Sequence, residues 1–132
     1  MTTFCTYCSA EKDRTQGKLP AIQRYRSQRI KSVYSAALSL GLEFLILSGK
    51  YGMLKPSDLI PYYDHLLTVP EVPAHVKKVV NQLEVLGVKD LIFFARSLEE
   101  EKNLRPYLDC IRLASQEARV ELKIVEIGTS IA

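Results

Sequence analysis

Four short apolar runs alternate with three amphipathic segments along the chain. Three of the runs have the nearly continuous apolar or β-branched character of strands buried in a parallel sheet: Thr2 to Cys8, Leu42 to Leu47 and Asp90 to Ala95. The fourth run, Val120 to Ile127, alternates apolar residues with charged ones. This period of two predicts a half-exposed strand at the edge of the sheet.

The three amphipathic segments have the spacing of helices. Apolar residues recur at helical period from Pro20 to Leu40 and again from Pro73 to Leu86, and a glycine follows each stripe. A third stripe contains Pro106. Since a proline inside a helix removes a hydrogen bond, we expect that helix to begin near Asn103.

The resulting order is strand, helix, strand, helix, strand, helix, strand. Alternation with short connections predicts parallel strands, right-handed crossovers and helices on both faces of the sheet. We therefore expect a single α/β domain over residues 1–132, with three α/β/α layers. The predicted sheet is four-stranded, mostly parallel and Rossmann-like or flavodoxin-like, and the last strand offers an edge for a homodimer.

Composition changes this picture mainly through the placement of charge. The net charge is +3, but residues 1–55 hold nine Lys and Arg against three Asp and Glu, a balance of +6. The remaining residues hold nine against twelve, a balance of −3. This asymmetry suggests an anionic partner, either a nucleotide or a nucleic acid, on the first half of the chain. A solvated basic helix face is an equally simple explanation.

The chain shows no features of export or membrane insertion. It lacks a secretory signal pattern and any apolar run of about 20 residues, so we expect a cytoplasmic protein without a membrane partner. Three cysteines, an odd number with one close pair, argue against an extracellular disulfide framework. The Cys5 and Cys8 pair lacks a second ligand pair, and neither a metal nor a cofactor is predicted.

One edge of the predicted sheet is rich in chemically active residues. In open parallel sheets, ligands bind beyond the carboxyl ends of the strands. The segments that follow the four predicted strands carry hydroxyl groups, glycine or cations: Cys8 to Lys18, Ser48 to Asp64, Ala95 to Ser97 and Gly128 to Ser130. The segments at the opposite edge are short helix-to-strand turns. The sequence therefore predicts a pocket at the carboxyl edge.

Cations in these segments are candidate anion ligands. Lys12, Lys50 and Arg96 would hold a phosphate together, unless they are ordinary surface cations. Ser48 opens a Ser-Gly-Lys sequence, but the upstream glycine of a Walker motif is missing, so nucleotide hydrolysis of that type is not expected.

The long segment after the second strand also supplies aromatic residues and glycines. Tyr51 and Tyr62 either stack on a base or pin the loop to the domain. Gly49 and Gly52 allow positive φ or the close approach of a ligand.

Three residues are candidates for chemistry: Cys8, Lys12 and Asp64. Cys8, at a strand end near Lys12, is either a nucleophile or a buried structural thiol. Asp64 would act as an acid or base. We expect His75 to lie on the exposed side of its helix.

The segment LSGKYGMLKPSDLIPYYD resembles the signature of the YaaA peroxide-stress family and its smaller bacterial and phage relatives. The matching positions are Leu47, Ser48, Gly49, Tyr51, Gly52, Leu54, Lys55, Pro56, Asp58, Pro61 and Tyr62.

Other residues of this chain extend the resemblance. The small relatives share a Cys-Ser/Gly-x-x-Lys element, which falls on Cys8, Ser9 and Lys12, and a tyrosine opening the next helix, which falls on Tyr25. YaaA proteins are larger and are associated with DNA binding and protection from peroxide. The Cys-x-x-x-Lys spacing is also similar to that of the archaeosine synthase domain, which modifies a deazaguanine in transfer RNA.

Three functions fit these observations. The leading hypothesis is a pocket that binds, and modifies if it is catalytic, a nucleobase, nucleotide or nucleic acid. The first alternative is a non-catalytic nucleic-acid-binding module that uses the basic segment Arg24 to Lys31. The second is a transferase or lyase that acts on a phosphorylated small molecule.

Overall fold

Seven strands and four α-helices are present in residues 1–128, which are the residues that the computed structural model describes. The strands are β1 (Thr2–Tyr7), β2 (Leu19–Pro20), β3 (Glu43–Ser48), β4 (Gly52–Leu54), β5 (Leu59–Ile60), β6 (Asp90–Ala95) and β7 (Glu121–Glu126). The α-helices are α1 (Ala21–Arg24), α2 (Gln28–Leu40), α3 (Val72–Leu86) and α4 (Arg105–Glu117), and short 3-10 turns occupy Val69–Glu71 and Lys102–Leu104.

Five of the strands form one mixed sheet in the order β4-β3-β1-β6-β7. All neighbours are parallel except β4, which runs antiparallel to β3. The prediction of a mostly parallel sheet in an α/β/α fold is confirmed, and β7 lies at the edge as expected. The fifth strand, β4, falls in a segment that the sequence indicates as loop, because three residues are too few to show a period.

The order of the parallel strands determines where a ligand can bind. From β1 the chain crosses through α2 to β3, and then returns through α3 past β1 to β6. Right-handed crossovers in opposite directions place α2 on one face and α3 with α4 on the other. The winding therefore reverses between β1 and β6, as in flavodoxin-like sheets, and leaves a crevice at their carboxyl ends.

The first predicted helix, Pro20 to Leu40, is interrupted in the structure. Tyr25 is extended and forms a bridge with Lys12, so α1 ends at Arg24. Ser27 then caps α2, because its side chain accepts a hydrogen bond from the Ile30 N–H at 3.2 Å. The break therefore results from the pairing of Tyr25 with Lys12, which is distant in the sequence. The helical spacing of apolar residues does not predict such a pairing.

The other two helices begin close to the predicted positions. Pro73 lies in the first turn of α3, which ends at the left-handed Gly87 with φ of 69°. Pro106 lies in the first turn of α4, where its missing N–H breaks no helical hydrogen bond.

The long segment after β3 is held to the domain by short strands. A two-stranded antiparallel sheet pairs β2 with β5, and β4 covers the edge of β3. None of the helices in the described part of the chain is long and apolar enough to cross a bilayer.

Candidate functional site

A cavity of about 430 Å³ opens at the carboxyl ends of β1 and β6, where the winding of the sheet reverses. Its walls are the segment 7–12 after β1, the start of α2, the loop 64–66, Arg96 after β6, and residues 101–107 around the start of α4. This is the edge at which the sequence predicts a pocket.

Arg29, in the first turn of α2, is the most deeply buried cation of the cavity wall, with 7% of its surface exposed. Its Nη1 donates to Thr6 Oγ1 at 2.7 Å and to the Tyr7 carbonyl at 2.6 Å, and its Nη2 donates to the Cys8 carbonyl at 3.2 Å. The guanidinium carbon lies 3.5 Å from the centroid of the Tyr7 ring. Arg29 is thereby fixed across the end of β1.

These contacts leave Arg29 incompletely satisfied. A guanidinium has five N–H donors, and the hydrogen bonds to Thr6, Tyr7 and Cys8 use three of them. No carboxylate within residues 1–128 lies within ion-pair distance of Arg29, although Glu101 interacts with it electrostatically. Burial lowers the pKa of Arg29, although a guanidinium stays charged at neutral pH.

Arg96 brings a second guanidinium to the cavity. It follows β6 directly, and its main-chain N–H donates to the Tyr7 hydroxyl oxygen at 3.4 Å. Its side-chain Nε is buried and has no hydrogen-bond partner among the described residues. Since buried donors are rarely left without an acceptor, this atom also points to a missing partner.

Lys12 adds an ammonium group to the same wall and is only 9% exposed. Its Nζ lies 4.6 Å from the centroid of the Tyr63 ring and 5.9 Å from that of Tyr25, and it donates to the Ala10 carbonyl at 3.4 Å. Burial lowers the pKa of Lys12, while the nearby Cys8 acts in the opposite direction. The amine is therefore held beside two aromatic rings with most of its hydrogen-bonding capacity unused.

Cys8 continues the hydrogen-bond ladder of β1, because its N–H donates to the Leu47 carbonyl at 2.9 Å. Its Sγ lies 3.7 Å from the Tyr107 hydroxyl, which also accepts the Leu67 N–H at 3.1 Å. Burial raises the pKa of Tyr107, so the phenol keeps its proton at neutral pH. The Tyr107 hydroxyl thus joins the sulfur to the loop that forms the opposite wall.

Carboxylates lie mainly on the outer part of the cavity. Glu11 and Asp64 are exposed, as is the cation Arg26, whereas Glu101 is half-buried. Arg29 and Lys12 are buried. The cavity is therefore most basic at its inner end.

The chain matches a family model over residues 6–132, the model of a family of unknown function named DUF6884. It belongs to that family. The matched segment contains all the residues that line the cavity. No curated protein and no solved structure matches the chain, and no link to the YaaA or archaeosine synthase families is shown.

Five of the residues predicted for the site line the cavity, and they come from segments that are distant in the sequence: Cys8, Ser9, Lys12, Asp64 and Arg96. The Ser9 hydroxyl is exposed and donates to the Glu11 carbonyl at 2.8 Å. The loop Gly128 to Ser130 was also predicted to reach this edge. Its residues after Gly128 lie outside the described part of the chain.

Tyr25 and Ser48, also predicted to bind substrate, belong instead to a buried network beside the cavity. The Tyr63 hydroxyl is hydrogen-bonded to the Tyr25 hydroxyl and lies 2.8 Å from Ser48 Oγ. The imidazole of His75 lies 2.8 Å from the Ser48 carbonyl oxygen. His75 is buried, so the prediction of an exposed position is wrong.

The remaining predicted residues do not line the cavity. Lys50 is exposed and lies beside the Tyr51 ring, 5.4 Å from its centroid, and Tyr51 packs edge-to-face on Tyr63. Tyr62 is 39% exposed and lies beside Arg14. These contacts are within the chain, and stacking of Tyr51 or Tyr62 on a base stays a prediction.

Gly49 and Gly52 have structural reasons for being glycine. Gly52 has φ of +74°, a conformation that disfavours a side chain. A Cβ at Gly49 would lie 2.6 Å from the Tyr107 hydroxyl oxygen and 3.0 Å from the Leu67 nitrogen. Gly49 therefore permits a close protein contact rather than the approach of a ligand.

Sequence reasoning missed three cavity residues with central positions: Tyr7, Arg29 and Tyr107. Arg29 and Tyr107 lie in the first turns of α2 and α4, the helices that begin at the carboxyl edge after β1 and β6. That position is the signal that could have found them, because helices that follow parallel strands start at the ligand-binding edge.

Proposed function

We propose that the chain binds a nucleotide in this cavity, with the phosphate held by Arg29, Arg96 and Lys12. The observation that supports the proposal best is the state of Arg29, which is buried, leaves two N–H donors unused and has no carboxylate within ion-pair distance in residues 1–128. Burying an unpaired charge is unfavourable. A phosphate would supply both the missing charge and the missing acceptors.

The size and lining of the cavity support a ligand larger than inorganic phosphate. About 430 Å³ is within the range of small-molecule sites, roughly 300–1,000 Å³. Asp64, His65 and Asn103 line the cavity together with the cations and offer both donors and acceptors. In this proposal they contact the base or sugar, a role that the sequence suggested for Tyr51 and Tyr62.

Any chemical step on the bound nucleotide would depend on Cys8, Lys12 and Asp64. The sulfur of Cys8 and the amine of Lys12 interact electrostatically, and both side chains line the cavity. Three of the residues that carry the resemblance to the YaaA family line this wall: Cys8, Ser9 and Lys12. The motif and the cavity therefore favour the same site. The proposal itself concerns binding and does not depend on catalysis.

The alternative of a nucleic-acid-binding module is less well supported. It requires the cations from Arg24 to Lys31 to face solvent, but Arg24 and Arg29 are buried. Of the four cations in that segment, only Arg26 and Lys31 are exposed. Two exposed cations give a small electrostatic contribution, since affinity for nucleic acid grows with the number of phosphates neutralised.

Isothermal titration calorimetry at low salt tests the proposal with the four ribonucleoside monophosphates, ribose 5-phosphate and a 12-nucleotide single strand. We expect at least one nucleotide to bind. The Arg96→Gln variant should bind it about tenfold more weakly, because it loses a charge-assisted hydrogen bond. The matched control is Lys31→Gln, which removes an exposed cation that does not line the cavity.

Each other result favours a different function. Ribose 5-phosphate binding as tightly as every nucleotide would indicate an enzyme of phosphorylated small molecules. Binding of the strand alone, with loss in Lys31→Gln, would support the nucleic-acid-binding module. No binding by any of these compounds would refute the proposal.

A further inference from the structure

We infer that the ligand presents a terminal phosphate monoester to the cavity, as a mononucleotide or the phosphorylated end of a strand does, and that internal phosphodiesters are excluded. This inference rests on the proposed function, which it makes specific. It follows from the depth of the cations, the number of their free donors and the position of the carboxylates.

The cations of the cavity are recessed. Arg29 and Lys12 are 7% and 9% exposed, and the Nε of Arg96 is buried. A terminal phosphate can enter such a site with its ester oxygen directed outward. An internal phosphodiester continues into sugar on both sides, so the same depth would require two chain segments to enter the cavity.

The donors that remain free suit the charge and oxygens of a monoester. Within residues 1–128, Arg29 leaves two N–H groups unused, Arg96 leaves its Nε–H unused, and Lys12 makes a single hydrogen bond at 3.4 Å. A phosphate monoester carries a charge of about −1.5 to −2 near pH 7 and has three peripheral oxygens. A diester carries one charge and two such oxygens, and would leave more of these donors unpaired.

The carboxylates disfavour an internal phosphodiester at the same site. Glu11 and Asp64 line the cavity and are exposed, whereas Glu101 is half-buried and interacts electrostatically with Arg29. Arg26 is the exposed cation of the lining. The phosphates on both sides of an internal diester would approach Glu11 and Asp64 and be repelled, whereas a terminal phosphate has at most one neighbouring phosphate.

The test compares three forms of each ribonucleoside by calorimetry: the free nucleoside, its 5′-monophosphate and the methyl ester of that monophosphate. Trinucleotides with and without a 5′-phosphate complete the set. We expect the monophosphate to bind about tenfold or more tightly than its methyl ester, and only the phosphorylated trinucleotide to bind. Inorganic phosphate should compete with the monophosphate.

Two variants show whether the preference comes from the proposed donors. Arg29→Gln should bind the monophosphate and its methyl ester with similar, weak affinity. Because Arg29 is buried, folding is checked by circular dichroism, and the half-buried Arg96→Gln serves as a second variant that should reduce the preference. Lys31→Gln should retain the full preference.

The outcomes separate this inference from the proposed function. Equal binding of the monophosphate and its methyl ester would overturn the inference and leave nucleotide binding intact. A preference that persists in both arginine variants would also overturn it, because the selective donors would then lie elsewhere. Failure of every compound to bind would overturn the proposed function and the inference together.

Discussion

Arg24 and Arg29 lie in the same basic segment, and both are buried with no carboxylate of the described part of the chain within ion-pair distance. Arg24 donates to the carbonyls of Asp13, Thr15 and Gly17 and makes two hydrogen bonds to the Ile60 carbonyl. All five of its N–H groups are therefore used. Arg29 uses three and faces a cavity with the rest.

The difference shows how a structural arginine can be distinguished from a ligand-binding one. Arg24 joins the loop 13–17 to β5 and satisfies itself with main-chain oxygens, so its site needs no ligand. Arg29 is similarly buried, but it has fewer hydrogen-bond acceptors than N–H donors. Burial alone would give both residues the same role, whereas the count of donors and acceptors separates them.

The largest expected effect is on stability, from Arg24→Met. The substitution removes five hydrogen bonds and leaves four carbonyl groups without their donor, so we expect a loss of about 3 kcal/mol in the free energy of unfolding. Urea denaturation measures the loss. Nucleotide affinity of the folded protein should not change, because Arg24 does not line the cavity.

Lys31→Met is the control for Arg24→Met, since Lys31 is an exposed cation of α2. Its unfolding free energy should lie within about 0.5 kcal/mol of the wild-type value. Equal stability of the two variants would mean that water replaces the arginine as hydrogen-bond donor. Arg24 would then not be a structural arginine, and its contrast with Arg29 would fail.

The central sheet could be predicted from the sequence, because each parallel strand has an apolar run bounded by helical stripes. β6 occupies the predicted residues, Asp90–Ala95. The short strands β4 and β5 could not, since three and two residues show no period and form only by pairing with β3 and β2. The break at Tyr25 has the same origin in a distant pairing.

The site residues could be predicted only where they follow a parallel strand directly, because ligands bind at the carboxyl ends of such strands. Cys8, Lys12 and Arg96 follow β1 and β6, so the rule for carboxyl ends brings them together. The start of α2 at this edge indicates where Arg29 lies, but its burial could not be predicted, because that depends on Thr6, Tyr7 and Cys8 turning their oxygens toward it. A basic residue in an amphipathic helix gives no sign of such contacts.

Gly49→Ala has a smaller effect and tests the cavity side of the comparison. The added Cβ would lie 2.6 Å from the Tyr107 hydroxyl oxygen, so the ring must move away from Cys8 and Leu67. We expect a loss of about 2 kcal/mol in stability and weaker nucleotide binding. Arg24 and its acceptors should be unaffected.

Tyr107→Phe provides the partner for a double-mutant cycle with Gly49→Ala. Removing the hydroxyl leaves the Leu67 N–H without its acceptor, at a cost of about 1 kcal/mol, but it also removes the atom that the new Cβ meets. The double variant should therefore lose less stability than the sum of the single variants. Simple additivity would show that the two side chains do not interact.

The smallest effect concerns pH, to which neither arginine responds near neutrality. Burial lowers the pKa of His75, against the opposing effect of its hydrogen bond to the Ser48 carbonyl. Lys78 and, more weakly, His65 also lower this pKa, and Glu71 raises it. The neutral imidazole therefore stabilises the fold fully above the unfolded pKa of about 6.5, and this contribution is lost as the pH falls through the folded pKa. His75→Gln should cost about 1 kcal/mol at pH 7.5 and less at pH 5.5, measured by urea denaturation. His65→Gln removes the other histidine of the sequence and should still lose stability as the pH falls. An equal cost of His75→Gln at both pH values would contradict a buried neutral imidazole.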